Sequence, residues 1–467
     1  MIRNGILAFD RGVRPERRCA GLSLLERGIR TMARAGIERL VVVVPAGAAT
    51  KLGKVTRRLD LQLEIVSWGT GTGLPFPSGE GILLLLGDCV HHHTSLARLT
   101  GRGLQGADLV VQTSTLPPRQ DPALHLAVES GTARLRPLNG AGGLVATGAF
   151  LCSAEVGAAD LTAAGTGAAD GAAIPAVTDF LAGRCAGRKV ETAPVSEAEP
   201  LWRRVADSRS SRQAKGMLFS QVTKATSGPL SRHLNARMSI PVSKLLIETG
   251  TSPHLVTVLF VMPPGLAGAW LISRPDEYPG FALAGVLWQL AAVLDRCDGE
   301  IARVQLSESK FGAWFDTLTD NFAYLCAYLG FLFGIQRIYG DQPLYLYLAL
   351  SAVGALFVIL GVMYTYALKT GSGSLQKYLV GYSRDVPDSE KGFMYRLLEP
   401  SAFIAKRDTF SFVFLVCCLA DAFAVLYWYT VGGLHLLALG VLISLRKMLS
   451  AHRLEVEGAP AYREPRP

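Results

Sequence analysis

The chain predicts two structural classes in succession. Residues 1–200 read as an α/β doubly wound soluble domain, and residues 253–467 as an all-α domain of six transmembrane helices. Two observations carry this. Short runs of β-branched and aliphatic residues alternate with helical periodicity in the first part, the pattern of a mostly parallel sheet covered by helices. Every long apolar run, by contrast, falls after residue 252, and each is close to the ~20 residues that cross a bilayer. A third observation points to function: acidic residues at helical spacing sit where two of those apolar runs meet.

In the first part, strands are expected at 5–8, 40–44, 61–66, 82–86 and 107–112, with a helix at 24–35 ahead of the turn containing Gly36. The stretch 154–186, rich in Ala, Gly and Thr, gives no periodicity from which to place elements. Residues 1–10 are too short an apolar stretch for a signal peptide, which leaves this domain expected in the cytoplasm. Residues 201–252 read as a connector. In it, basic and apolar residues from 231 to 247 recur at helical spacing, as in an interfacial helix lying on an anionic leaflet.

The six apolar segments are expected at 253–273, 280–300, 313–336, 343–367, 409–431 and 433–450, with Pro263 and Pro264 disturbing the first. Seven Lys and Arg fall in the 368–408 loop, against Arg274 and Arg337 in the opposite loops. With an even number of spans, this bias puts both termini and the 303–312 turn on the cytoplasmic side of the cell (inner) membrane. The net charge of +9 and the positive mean hydropathy then fit lipid headgroups and positive-inside topology rather than nucleic acid. The eight cysteines have no paired spacing that suggests a disulfide framework or a zinc site.

The chemistry concentrates in DRCDGEIAR (295–303) and GAWFDTLTD (312–320). Asp295 and Asp298 are i,i+3; Asp316 and Asp320 are i,i+4; each pair shares a helix face. Four hard carboxylates at that density suit Mg²⁺ or Mn²⁺, with room for two ions. Gly299, Ala302 and Gly312 keep one face narrow, and Arg303 can meet phosphate with a forked contact.

This pattern, D-x2-D-G-x2-A-R-x8-G-x3-D-x3-D, resembles the signature of the CDP-alcohol phosphotransferase (CDP-alcohol phosphatidyltransferase) family at every fixed position. The resemblance covers about half the chain. It implies a membrane transferase that moves a substituted phosphate from a CDP-alcohol donor to an acceptor hydroxyl, with release of CMP. It further implies metal binding by Asp295, Asp298 and Asp316, with Asp320 as general base and a possible further metal ligand. CDP would be bound by Asp295, Asp298, Gly299, Ala302, Arg303 and Gly312, and the enzyme would be a homodimer. Arg232, Arg237, Lys406 and Arg407 are candidate anchors for a phosphate on the acceptor, for which plain topology signals are the alternative reading.

Residues 21–30, 35–44, Leu86-Gly87-Asp88 and Thr147-Gly148-Ala149-Phe150 resemble sugar-phosphate nucleotidyltransferases. Asp88 stands where that family has a metal-binding Asp, and Asp207 echoes a second. The fusion resembles bifunctional inositol-1-phosphate cytidylyltransferase and di-myo-inositol phosphate phosphate synthase. The phosphate-cradling loop departs from that family: in 9–18 only Gly12 remains, with Arg11, Arg14, Arg17 and Arg18 but no Lys. The reading is therefore a degenerate, structural or regulatory domain, with an active cytidylyltransferase as the alternative. His91, His92 and His93, being adjacent, do not converge on a metal and are read as loop residues. For the membrane part, polyol or inositol-phosphate chemistry leads. A CDP-diacylglycerol-dependent phospholipid synthase comes second, and a non-catalytic membrane scaffold last.

Overall fold

The computed structural model describes residues 2–10, 13–45, 61–67, 76, 80–114, 125–129, 132–136, 144–153, 188–195, 201–222, 230–370 and 407–458. The expected region 154–186, Arg11, Gly12 and Lys406 lie outside these residues. The chain divides into two compact units. The first comprises Met1–Val222 with the short segments Ile247–Thr249 and Arg303–Leu306; the second comprises the remainder.

The first unit is built on a nine-stranded mixed sheet. Its strands are β1 (Asn4–Ala8), β4 (Arg39–Val44), β5 (Gln62–Ser67), β6 (Ile82–Leu86), β8 (Leu109–Ser114), β9 (His125–Glu129), β10 (Thr132–Arg136), β11 (Leu144–Cys152) and β12 (Val190–Pro194). Short ribbons pair β2 (Arg18–Cys19) with β3 (Leu22–Ser23) and β7 (Cys89–His91) with β13 (Trp202–Arg204). Strands β6, β1, β4 and β5 are neighbours and parallel, whereas β11 runs antiparallel to β6 and β8. Of the parallel strands, β1, β4 and β6 are buried almost throughout, while the edge strand β5 is largely exposed; Ile6, Val41, Val43 and Leu84 form one core with Val111 of β8 and Phe150 of β11.

Helix α1 (Leu24–Arg34) starts where Ser23 accepts the Glu26 N–H at 3.1 Å, and helix α2 (His93–Arg102) follows β7. The strands and helix expected from periodicity are found within a few residues of the expected bounds. The domain limit is not: β13 and helix α3 (Ser208–Ser220), read from the sequence as connector, belong to the first unit. What the composition of this stretch does not show is that β13 pairs with β7, more than a hundred positions earlier in the chain.

The second unit is helical. A π turn at Ser231–Asn235 leads into α4 (Ala236–Leu246). Then follow α5 (Pro253–Leu271), α6 (Tyr278–Val304), α7 (Lys310–Tyr339), α8 (Pro343–Thr370), α9 (Arg407–Leu419) and α10 (Phe423–Gly458). Five of them are long and apolar enough to cross a membrane, where the sequence suggested six. The expected span 409–431 is interrupted at Ala420–Ala422. There Asp421 adopts a left-handed φ of 53° and the Ala422 N–H caps the Cys417 carbonyl at 2.9 Å. Asp421 is the breaker that the apolar average concealed. It leaves α9 only about 20 Å long at 1.5 Å per residue.

Large apolar side chains such as Leu259, Trp270, Phe322, Phe333, Phe357 and Trp428 are exposed, as expected of lipid-facing helices. The unit's interior is aromatic, with Phe281, Trp288, Phe331, Phe423 and Tyr427 in one cluster. The irregularity expected at Pro263 and Pro264 takes the form of a π turn at Thr257–Val261, just ahead of them. On α4, Leu234, Met238 and Leu245 are exposed along one stripe beside Arg237 and Lys244, the amphipathic surface that the sequence suggested.

Close approach between α5 and α7 rests on two glycines four residues apart. A Cβ at Gly330 would stand 1.9 Å from the Ala269 carbonyl oxygen, and one at Gly334 would stand 2.7 Å from that of Ile272. No atom lies within 4 Å of a Cβ at Gly354. Gly330→Ala is therefore expected to lower the thermal unfolding temperature of the purified protein by several degrees or to abolish its recovery, whereas Gly354→Ala leaves both unchanged.

Candidate active site

Helices α6 and α7 bring the motif together at their adjoining ends. The last turn of α6 closes with the Ser307 N–H bonded to the Ala302 carbonyl at 2.9 Å, while Leu306 takes a left-handed φ of 51°. Helix α7 begins where Ser309 Oγ accepts the Gly312 N–H at 3.0 Å. Gly312 is closely packed: a Cβ there would lie 3.1 Å from Ser309 Oγ and 3.3 Å from the His254 ring, so either side chain would have to shift by a few tenths of an ångström.

Asp295, Asp316 and Asp320 each direct a carboxylate oxygen into one cluster, with all three atoms within 4.8 Å of one another and each residue half-buried. Mutual repulsion opposes this grouping unless a cation offsets it. Three hard oxygen donors, with no sulfur or imidazole among them, suit a small divalent ion of the Mg²⁺ or Mn²⁺ type. Asp298 is not in the trio. It is 9% exposed, and its carboxylate accepts from Thr257 Oγ1 at 2.6 Å and from the Gly299 N–H. Three of the four carboxylates thus share one cluster, and the fourth, Asp298, is hydrogen-bonded to the π turn of α5.

Thr257 was not legible as a site residue, because it precedes Asp298 by 41 positions and lies in no motif with it. His254, one turn earlier, was also missed. Its ring meets Phe311 and Phe315 edge-on, at centroid distances of 5.7 and 5.1 Å. An apolar cleft lined by Val261, Gly265, Trp288, Ala291 and Thr319 reaches Asp320. Ala302 and Arg303 occupy the end of α6, both half-buried, as is Gly299. Of the candidate phosphate anchors, Arg232 and Arg237 are exposed, and Arg407 opens α9.

In the first unit, the residues that resemble nucleotidyltransferase ligands have other partners. Asp88, 6% exposed, is ion-paired with Arg204, whose Nε lies 2.5 Å from its Oδ2. Asp207 caps α3: its Oδ1 accepts the Ser210 N–H at 2.7 Å and the Ser210 hydroxyl at 2.6 Å, and those bonds hold its carboxyl below the usual range. Thr147 and Phe150 are fully buried, with Thr147 Oγ1 donating to Gln112 at 2.8 Å. His91 is buried with Nε2 bonded to the Thr147 carbonyl at 2.9 Å, and burial pushes its pKa down to about 4. His92 precedes α2, and His93 begins it.

A helical membrane unit with a carboxylate trio at this spacing defines a class of enzyme, and the sequence comparisons agree. The CDP-alcohol phosphatidyltransferase family matches residues 250–439. The chain belongs to this family.

Among its relatives, the "Bifunctional IPC transferase and DIPP synthase" of Rubrobacter xylanophilus is 30% identical over 326 residues, covering 66% of this chain and 70% of that one. That length exceeds the second unit, so the similarity extends into the first. The protein of the same name from Thermococcus kodakarensis is 38% identical over 122 residues, 26% of this chain but only 27% of its own length. The "Phosphatidylinositol phosphate synthase" of Mycobacterium tuberculosis (strain H37Rv) is 31% identical over 115 residues, 25% of this chain and 51% of the relative. Among solved structures, the inositol-1-phosphate CTP transferase from T. maritima matches 49% of this chain and 98% of its own, with 17% identity and a TM-score of 0.38.

Two outcomes follow. Thr257→Val removes the hydroxyl that holds Asp298, and is expected to weaken Mn²⁺ binding about tenfold, as loss of a metal-site supporting bond does, without loss of fold; paramagnetic resonance of the purified protein measures it. In the first unit, His91 stays neutral when folded while an unfolded His titrates near 6.5. Its stabilising contribution is therefore complete above pH ~6.5 and is lost as pH falls from there toward ~4. Thermal unfolding followed across that range should show a decline that His91→Gln reduces.

Proposed function

We propose that the chain is a metal-dependent membrane enzyme that transfers a substituted phosphate from a CDP-alcohol to an acceptor hydroxyl and releases CMP. The observation that carries this reading is the trio of Asp295, Asp316 and Asp320 gathered within 4.8 Å at the ends of two apolar helices. We infer that Asp295, Asp316 and Asp320, with Asp298, hold Mg²⁺ or Mn²⁺, in a site that admits two ions. A bound ion would offset charge on the donor pyrophosphate.

The remaining roles fall to side chains and backbone. Gly299, Ala302 and Gly312 leave room for CDP, and Arg303 offers a planar fork to its phosphates. The carboxylate of Asp320 takes the proton of the acceptor hydroxyl. The acceptor oxygen then bonds to the phosphorus that carries the alcohol. The bond from that phosphorus to the bridging oxygen breaks, and CMP departs with the bridging oxygen and its electron pair.

The names of the relatives favour an inositol-phosphate type of substrate. The activities in those names belong to proteins that the chain matches over between about a quarter and 70% of their length. Arg232, Arg237, Lys406 and Arg407 are the proposed anchors for a phosphate on that acceptor. A second reading, a CDP-diacylglycerol donor, is favoured by the name of the mycobacterial relative, "Phosphatidylinositol phosphate synthase". For the first unit, the Asp88–Arg204 ion pair and the capping role of Asp207 support a domain without cytidylyltransferase activity. The basic bias of the 368–408 loop supports a cytoplasmic motif turn. A homodimer in the cell membrane completes the proposal.

The test is CMP release by the purified chain with Mn²⁺ or Mg²⁺, from CDP-inositol or CDP-diacylglycerol, with inositol phosphate as acceptor. Release is expected with one donor, to be abolished by EDTA, and to fall more than about 100-fold in Asp320→Asn while that variant elutes like the parent protein. CTP with inositol phosphate should yield no pyrophosphate. A folded Asp320→Asn variant at full activity would exclude its role as base.

A further inference from the structure

Arg296 and Glu300, two of the four positions that the family signature leaves open between Asp295 and Ala302, are not idle. Glu300 is fully buried, and its carboxylate is the hub of a polar network. Oε1 accepts from Ser239 Oγ at 2.7 Å and from Arg296 Nη2 at 3.4 Å, and Oε2 accepts from Ser243 Oγ at 2.7 Å. Arg296 also donates to Ser239 Oγ at 3.3 Å and to Ser231 Oγ. Cys297 Sγ donates to the Ser239 carbonyl at 3.6 Å. Ser231, Asn235, Ser239 and Ser243 follow one another at four-residue intervals, so one stripe of the α4 segment turns its polar side inward, opposite to the exposed stripe of Leu234, Met238 and Leu245. Further along, buried Asn235 continues the network by donating to Asp408 at 2.6 Å and accepting from Gln289 at 3.0 Å.

A buried carboxylate persists only where hydrogen bonds and a counter-charge compensate its lost hydration. Here two hydroxyls four residues apart match its two oxygens, and the guanidinium one turn back on α6 supplies the charge. The geometry joins this to the reaction. At 100° per residue, Glu300 lies about 140° to 160° around α6 from Asp295 and Asp298. It does not face the carboxylate trio, and its bonds to α4 fix the rotation of the helix whose other side presents Asp295 and Asp298.

We propose that Glu300, compensated by Arg296, is a positioning residue: by fastening α6 to the serine stripe of α4 it sets the direction in which Asp295 and Asp298 meet the metal and the donor. This rests on the transfer reaction proposed above. It deepens that reading by assigning work to a residue outside the fixed signature. A misplacement of about 1 Å at a reacting group costs on the order of 100-fold in rate. Loosening this bond should therefore lower kcat and weaken the metal site more than it raises donor KM.

The experiment compares the full chain with Glu300→Gln, Arg296→Gln, the double variant and Ser239→Ala/Ser243→Ala. Each is checked for elution and unfolding temperature, then measured for kcat and donor KM with CDP-inositol or CDP-diacylglycerol, and for Mn²⁺ affinity. Glu300→Gln and the serine pair are each expected to lower kcat about tenfold or more, with donor KM within about twofold, and to weaken Mn²⁺ binding. The double variant, in which two amides replace the ion pair, is expected to regain most of the lost kcat and Mn²⁺ affinity. Parental kcat and Mn²⁺ affinity in a folded Glu300→Gln protein, or a double variant no better than the single, would overturn the assignment. If the parent chain releases no CMP, the transfer reading fails on its own, and Mn²⁺ affinity across the same variants still decides the positioning role. Should Glu300→Gln not fold, the serine pair decides it: unchanged kcat and Mn²⁺ affinity there reject the proposal.

Discussion

Three carboxylates crowded within 4.8 Å, on the ends of two helices that are otherwise apolar, repel one another and resist dehydration. Nothing about apolar helix packing would bring them together, so the surrounding structure has to. Ser309 starts α7 with Gly312 on the near side, and Thr257 holds the fourth carboxylate, Asp298. Gly330 lets α7 approach α5, the helix that carries Thr257. Each of these features helps to hold like charges at a fixed place.

The same constraint explains the polar interior of the second unit. Asn235, Ser239, Ser243, Gln289 and Glu300 are all buried, each in a hydrogen bond to another helix. In an apolar medium such bonds give direction that packing alone does not, because a buried polar group is costly in any other orientation. Aromatic packing of Phe281, Phe331 and Tyr427 supplies cohesion. The hydrogen bonds supply register, and register is what places Asp295 and Asp298 relative to Asp316 and Asp320.

Much of this was legible in the sequence wherever the signal is local. Periodicity located β1, β4, β6 and α1, and i,i+3 and i,i+4 spacing identified the carboxylate faces. What was not legible depends on pairs far apart in the chain. Thr257 and Asp298 are separated by 41 residues, Glu300 and Ser239 by 61, Arg204 and Asp88 by 116. A serine on an amphipathic helix reads as a surface residue until its partner is known. Asp421 was missed for a different reason: a single polar residue inside an apolar window barely changes the average, yet it ends a helix. In the first unit, resemblance suggested a metal role for Asp88, and Arg204 fills that place with a guanidinium.

The most direct measurement is the location of Mn²⁺, by its anomalous scattering in crystals of the protein grown with Mn²⁺ and CDP. Mn²⁺ is expected to be bonded to oxygens of Asp295, Asp316 and Asp320 at about 2.2 Å, in contact with the CDP phosphates. Mn²⁺ bound elsewhere, with those three carboxylates turned away from it and from CDP, would contradict it.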